Sequence, residues 1–365
     1  KSVWAVSFGG IAEGIAKMCF GNKIGFEFTA DISQKTLFKP CYGSFIVELN
    51  DKADKDDLLL GKTISEYVIN TNKYKISLDE LQQAWEDKLE PIYPSKIENS
   101  DEKVEKYSFI NKSFISPKVR VAKPRVLIPV FPGTNCEYDT ARAFEKAGAI
   151  PEVVIIKNLS ASDIEESLNK IEHEIKNSQI IMLPGGFSGG DEPDGSAKFI
   201  TTFFRNPRIK DAVHELLNNR DGLMLGICNG FQALIKLGLV PYGKIVDMTD
   251  SSPTLTFNKI ARHQATMVRT RIASNKSPWL AACEVDDIHT IAISHGEGRF
   301  IASSEIIEKL AKNGQIATQY VDLNGEPTLN VRYNPNSSFA AIEGITSPDG
   351  RVLGKMGHSE RIGED

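Results

Sequence analysis

Cys228 stands in Gly222-Leu223-Met224-Leu225-Gly226-Ile227-Cys228-Asn229-Gly230-Phe231-Gln232, where an apolar run meets a Gly-X-Cys-X-Gly turn and a helical pattern, Ala233 to Leu237, begins. Glycines two positions before and after the thiol remove the Cβ atoms that forbid a sharp strand-to-helix turn, so the central side chain is strained and exposed at a sheet end. The N-terminus of the following helix favours thiolate over thiol there. The ordinary alternative is a buried cysteine in a strand, and the paired glycines argue against it. A thiolate nucleophile needs a base, and the base needs an orienting group. Gly354-Lys355-Met356-Gly357-His358-Ser359-Glu360-Arg361 supplies both: Glu360 can accept from one imidazole nitrogen and leave the other facing Cys228. Alone, His358 would read as part of a polar surface tail. Cys136, in Gly133-Thr134-Asn135-Cys136-Glu137, is a rival nucleophile without a glycine at +2 and reads as pocket-lining. His173 and His214 lie on charged helical faces and read as solvated.

Alternating elements must position these groups. Arg125 to Val130 is a near-continuous apolar strand, Asp139 to Ala147 a helix stopped by Gly148, and Pro151 to Ile156 a second strand. Ser162 to Lys176 is helical, Gln179 to Leu183 a third strand, and Pro207 to Asn218 a helix before the elbow strand. The fold class is α/β, a doubly wound, mostly parallel sheet with its site at the carboxyl ends of the strands. Cys228, Gly133, Gly185 and Gly186 all fall just past a strand. Ala265 to Arg271 alternates with period two and predicts an antiparallel addition.

The N-terminal stretch differs. Val3 to Ser7, Ile24 to Phe28 and Gly43 to Leu49 read as strands, and Ile11 to Cys19 as a helix after Gly9-Gly10. A strand, a Gly pair and a helix can cradle phosphate, although plain helix packing explains the pair equally well. Three strands and a helix cannot bury both faces of a sheet, so residues 1–50 are expected to be the remnant of a larger domain and Lys1 a cut. Residues 51–123 read as a linker with one helix, Leu78 to Glu86, capped by Ser77 with Glu80 in the capping-box position. Polar, patternless residues 95–118 are expected to be flexible. Residues 124–365 form the catalytic domain.

With 365 residues and a net charge of −5, the composition argues against a nucleic-acid-binding surface as the chain's main business. No apolar run approaches the roughly 18 residues that span a bilayer. The five cysteines form no CxxC pair, so neither a disulfide framework nor a metal site is suggested, and a reducing cytoplasm is expected.

Gly-Ile-Cys-Asn-Gly-Phe-Gln at 226–232 followed by Gly-His-Ser-Glu-Arg at 357–361 resembles the class I, triad-type glutamine amidotransferases. Phe131 to Glu137, Leu183 to Asp191 and Ser294 to Phe300 narrow the resemblance to the glutaminase domain of the phosphoribosylformylglycinamidine synthases, in their large single-chain type. Residues 1–50 resemble the closing part of the aminoimidazole ribonucleotide synthetase-like domain of such synthases, with Ser7-Phe8 where related domains carry an acid before the Gly pair. The resemblance implies hydrolysis of glutamine to supply ammonia for ATP-dependent conversion of formylglycinamide ribonucleotide to formylglycinamidine ribonucleotide. It implies Cys228, His358 and Glu360 as the triad. It implies oxyanion donors at Gly185, Gly186 and Asn229, and glutamine contacts at Gln232, Ser294, His295, Gly296 and Glu297. For His295 a structural role bonded to backbone stays open. The glutaminase domain needs no cofactor; ATP and Mg belong to the complete enzyme, and the partners are glutamine and the rest of the synthetase chain. The family usually carries a proline beside the triad histidine, where this chain has Gly357 and Ser359 flanking His358. Two other readings are a Cys-His peptidase or chaperone of the same sheet type, and an interaction domain with a vestigial triad.

Overall fold

The computed structural model describes residues 2–50, 57–92, 97, 100, 102–111, 117, 120–190 and 196–362. They divide into two units, Lys1–Lys96 and Ile97–Asp365.

The first unit contains β1 (Ser2–Ala5), α1 (Gly10–Asn22), β2 (Gly25–Phe28), α2 (Gln34–Leu37), β3 (Phe45–Glu48), β4 (Gly61–Ile64), β5 (Val68–Asn70), β6 (Lys75–Ser77) and α3 (Leu78–Glu86). Strands β1 and β3 pair with each other, while β2 lies inside a sheet ordered β4-β2-β5-β6. The expected division at residue 50 is therefore corrected. Residues 61–86 are not linker: β4 and β5 flank β2, and Ile69 and Leu78 share a core with Ile15, Phe26 and Phe28. The cap of α3 is as expected, with Glu80 N–H donating to Ser77 Oγ at 3.3 Å. At the Gly9-Gly10 turn, Lys17 Nζ and Ser7 Oγ donate to the Glu13 carboxylate and hold it below its usual range, joined by Gly9 N–H at 2.9 Å from Oε2. The chain's own carboxylate thus occupies the donor that a phosphate would need.

The second unit is built on a nine-stranded sheet. Its first half alternates strand and helix: β7 (Arg125–Val130), α4 (Glu137–Lys146), β8 (Ile150–Ile155), α5 (Ala161–Asn177), β9 (Ile180–Leu183), α6 (Lys198–Phe204), α7 (Pro207–Asn219), β10 (Leu223–Ile227) and α8 (Asn229–Leu237). After α9 (Leu239–Tyr242) come β11 (Thr254–Phe257), β12 (Gln264–Ile272), β13 (Ile288–His295), β14 (Glu297–Ile301), α10 (Ser304–Lys312), β15 (Ile316–Tyr320), β16 (Ile342–Thr346) and β17 (Val352–Lys355). The sheet order is β13-β12-β15-β16-β17-β10-β9-β7-β8. The run from β17 to β8 is parallel, and the run from β13 to β17 is an antiparallel extension. Buried strands such as Val126-Leu127-Ile128 and Ile181-Met182-Leu183 fill the centre of the parallel half, as continuous apolar runs must.

Residues 102–111, expected to be flexible, are instead a strap held on this unit. Arg271, fully buried, donates to Tyr107 O at 2.6 Å and Ser108 Oγ at 2.9 Å and pairs with Asp286 at 2.8 Å. Gln319 accepts from Tyr107 N–H and donates to Glu105 O. The strap is ordered by its backbone groups meeting distant side chains, so its own sequence needs no apolar period. Its neighbours at 112–116 lie outside the described residues.

Candidate active site

Cys228 sits between β10 and α8 with φ 52° and ψ −106°, a combination outside the usual wells for an L-residue. Close packing imposes it. A Cβ at Gly226 would lie 2.6 Å from Gly230 O, and one at Gly230 would lie 1.9 Å from Leu183 O on β9. Each flanking glycine is required because backbone passes where its side chain would be. Cys228 N–H donates to Lys355 O at 2.9 Å, and its carbonyl accepts the first bond of α8 from Gln232 N–H at 3.0 Å. The expectation of an exposed side chain is corrected: packing against the neighbouring strands leaves Cys228 only 4% exposed, with its thiol 3.6 Å from Ser294 O.

The segment after β17 brings the candidate base. His358 Nδ1 is 2.6 Å from Glu360 Oε1, with both side chains 4% exposed. A carboxylate only accepts, so Nδ1 carries the hydrogen and Nε2 is the basic nitrogen. Gly185 marks where the groups meet: a Cβ there would be 2.7 Å from His358 Cε1, 3.1 Å from Cys136 Sγ and 3.5 Å from Cys228 Cβ. Gly186 has φ 139° and packs against the 133–135 turn, and Asn135 N–H donates to Gly185 O at 3.3 Å. The structure therefore gathers Cys228, His358, Glu360 and the Gly185-Gly186 turn around one point at the strand ends, with Asn229 opening α8.

Cys136 Sγ lies 4.0 Å from His358 Nδ1, and burial pushes its thiol up to about 11, which disfavours a thiolate. Cys136, His358 and Glu360 fall within 4.8 Å of one another, a set that can hold a metal ion. The His358–Glu360 hydrogen bond already engages one donor from each of those two groups.

The residues assigned to glutamine divide into two groups. Gln232 and Glu297 face each other: Gln232 Nε2 donates to Glu297 O at 2.5 Å and its Oε1 accepts from Asn229 Nδ2 at 2.8 Å. Glu297 Oε2 accepts from Ser196 N–H and Oγ, with Lys236 Nζ at 3.9 Å. Both side chains are thus bonded within the protein. Ser294 presents its carbonyl to Cys228, and a Cβ at Gly296 would meet open space. His295 is buried with neither ring nitrogen bonded, and burial holds its pKa at about 3, so it is neutral. Its carbonyl, not its ring, accepts from Asn258 Nδ2 at 2.8 Å.

His173 is exposed. The reading of His214 as solvated is corrected: its Nε2 accepts from Ile245 N–H at 2.9 Å in a half-buried position, and burial lowers its pKa. Sequence reasoning missed His263, whose Nε2 lies 2.9 Å from Ser294 Oγ and whose ring tilts against Phe187 at 6.1 Å on the rim. It also missed Glu343 in the buried strand Ile342-Glu343-Gly344-Ile345-Thr346. A lone acid in an otherwise uncharged buried strand was the available signal.

A strained elbow thiol next to a carboxylate-oriented imidazole, at the ends of parallel strands, defines a cysteine amidohydrolase of the triad type. Residues 123–365 match the CobB/CobQ-like glutamine amidotransferase domain, and the chain belongs to that family. It is 36% identical over 240 residues to phosphoribosylformylglycinamidine synthase subunit PurQ of Methanococcus maripaludis, covering 65% of this chain and 82% of that protein. The subunit of the same name from Treponema denticola is 36% identical over 251 residues, 65% of this chain and 88% of that one. Among solved structures, a chain of PurLQS from Thermotoga maritima is 26% identical with a TM-score of 0.47, covering 66% of this chain and 89% of that one. Among the described residues no helix is long and apolar enough to cross a membrane.

Proposed function

We propose that this chain is the glutaminase part of a phosphoribosylformylglycinamidine synthase, releasing ammonia from glutamine for the ATP-dependent amidination of formylglycinamide ribonucleotide in purine biosynthesis. The observation that carries the reading is the 2.6 Å His358–Glu360 pair beside the elbow thiol Cys228. Cys228 attacks the side-chain amide carbon of glutamine, and its proton passes through His358 Nε2 to the departing ammonia. Water then attacks the thioester with the same imidazole as base, giving glutamate and the free thiol. Backbone N–H groups at the Gly185-Gly186 turn and at Asn229 would meet the oxyanion, each typically worth about 3 kcal/mol in the transition state. Ser294, His295 and Gly296 would contact glutamine, with Gln232 and Glu297 supporting them. Glu360 fixes the tautomer.

The single-chain arrangement, with Lys1–Lys96 drawn from an aminoimidazole ribonucleotide synthetase-like domain, is part of the proposal, as are a cytoplasmic setting and ATP with Mg in the synthetase half. The Gly9-Gly10 turn is not proposed as a phosphate cradle, because Glu13 already takes its donor. In the complete enzyme, Cys228→Ala should abolish glutamine-dependent synthesis and leave ammonia-dependent synthesis intact. Equal loss with both nitrogen sources would make Cys228 structural. A peptidase or chaperone would release no ammonia from glutamine.

A further inference from the structure

Glu343 is buried in β16, 1% exposed. Its Oε1 accepts from Gly357 N–H at 2.6 Å, and its Oε2 accepts from Thr318 Oγ1 on β15. Gly357 immediately precedes His358, whose own N–H donates to Ala292 O on β13 at 2.9 Å. Two successive amides of the base-bearing segment are therefore held from different strands, one by a side chain and one by a backbone carbonyl. The fit leaves no room: a Cβ at Gly357 would lie 1.9 Å from Ile291 Cδ1 and 3.1 Å from Glu343 Oε1. Burying a carboxylate is costly unless its oxygens are bonded, and a strand packed on all sides needs no acid for its own stability.

We propose that Glu343 is a positioning residue for the base: its carboxylate, braced by Thr318, fixes the peptide plane before His358 and so the placement of the imidazole at Cys228. The inference rests on the reading of His358 as the general base. Glu343 meets the site through the peptide that precedes His358, so its loss is expected to act through that residue. Gln can replace it, accepting from Gly357 N–H with its oxygen and donating to Thr318 Oγ1 with its amide. Ala leaves a buried N–H and a buried hydroxyl without partners.

The test is glutamate release by the full chain, with kcat and KM separated. Glu343→Ala should lower kcat about thirtyfold, in line with the steep dependence of rate on placement, with KM within about twofold of wild type. Glu343→Gln should keep kcat within about threefold. Wild-type kcat in Glu343→Ala, or Glu343→Gln as impaired as Glu343→Ala, overturns the inference. If Glu343→Ala does not fold, Thr318→Val decides: it removes the brace alone and should lower kcat about fivefold at unchanged KM, and wild-type kcat in that variant refutes the proposal. His358→Ala is run beside them. Its retained activity would remove the reading of the base, whereas an inactive His358→Ala with a fully active Glu343→Ala removes only the positioning role.

Discussion

Gly185→Ala puts one methyl group where the side chains of His358, Cys136 and Cys228 converge. The new Cβ would lie 2.7 Å from His358 Cε1, and restoring an ordinary contact of 3.4 Å requires a displacement of about 0.7 Å. The backbone at 185 cannot easily supply it, because Gly185 O accepts from Asn135 N–H and Gly186 packs so closely on the 133–135 turn that a Cβ there would lie 2.7 Å from Gly133 O. Position 185 is not among the positive-φ residues, so alanine meets crowding and no added backbone strain. The imidazole must move, against its 2.6 Å bond to Glu360. A 1 Å misplacement can cost roughly a hundredfold in rate, so kcat should fall thirtyfold to a hundredfold, or about 2–3 kcal/mol of barrier. Overpacking should also cost about 1–3 kcal/mol of stability. Glutamate release at saturating glutamine gives kcat, and a denaturant titration gives stability. A variant with wild-type kcat would show that His358 does not occupy the working position beside Gly185.

His358→Ala should nearly abolish turnover, whereas Glu360→Gln, which keeps the shape and one hydrogen bond, should lower kcat less; rapid turnover by His358→Ala would remove the base assignment. Gly296→Ala adds a methyl into open space at the pocket and should raise KM for glutamine several-fold with an unchanged melting temperature, and an unaltered KM would place Gly296 away from the substrate. His295 has a pKa of about 3 when folded against about 6.5 unfolded. The unfolded state therefore binds the extra proton between those values, and stability rises with pH through that window by up to about 1.4 kcal/mol per unit. Urea titrations between pH 4 and 7 should show His295→Gln losing part of that slope, and identical slopes would mean His295 is protonated in the folded protein. The chain alone should hydrolyse glutamine slowly and the complete enzyme, loaded with nucleotide and acceptor, much faster; equal rates of glutamate release would show a constitutively competent glutaminase.

The meeting of Cys228, His358 and Glu360 was legible because its signals are local. Gly226 and Gly230 announce a turn that no other residue permits, and the two-residue spacing of His358 and Glu360 is enough for them to bond. The parallel half of the sheet was legible from apolar runs such as Val126-Leu127-Ile128. Strands β4 to β6 were not, being three or four residues long with only one or two apolar residues each, and β4 and β5 pair with the distant β2. The bonding of Gln232 and Glu297 was not legible for a related reason: Gln232 meets the Glu297 carbonyl across 65 positions of chain, and the Glu297 carboxylate meets Ser196 across 101.

The strap at 102–111 sets where the second unit can be cut. A polypeptide starting at residue 123, where the family match begins, would retain the thiol, the imidazole and every strand of the large sheet. It would also strip the fully buried Arg271 guanidinium of Tyr107 O and Ser108 Oγ, and Gln319 of Glu105 O, leaving Asp286 as the cation's main counterweight. Those donors would then have to be solvated from the face that the strap covers. A shortened enzyme of this kind should aggregate or melt early while one beginning near residue 100 stays sound, so the minimal folding length exceeds the catalytic domain that homology outlines.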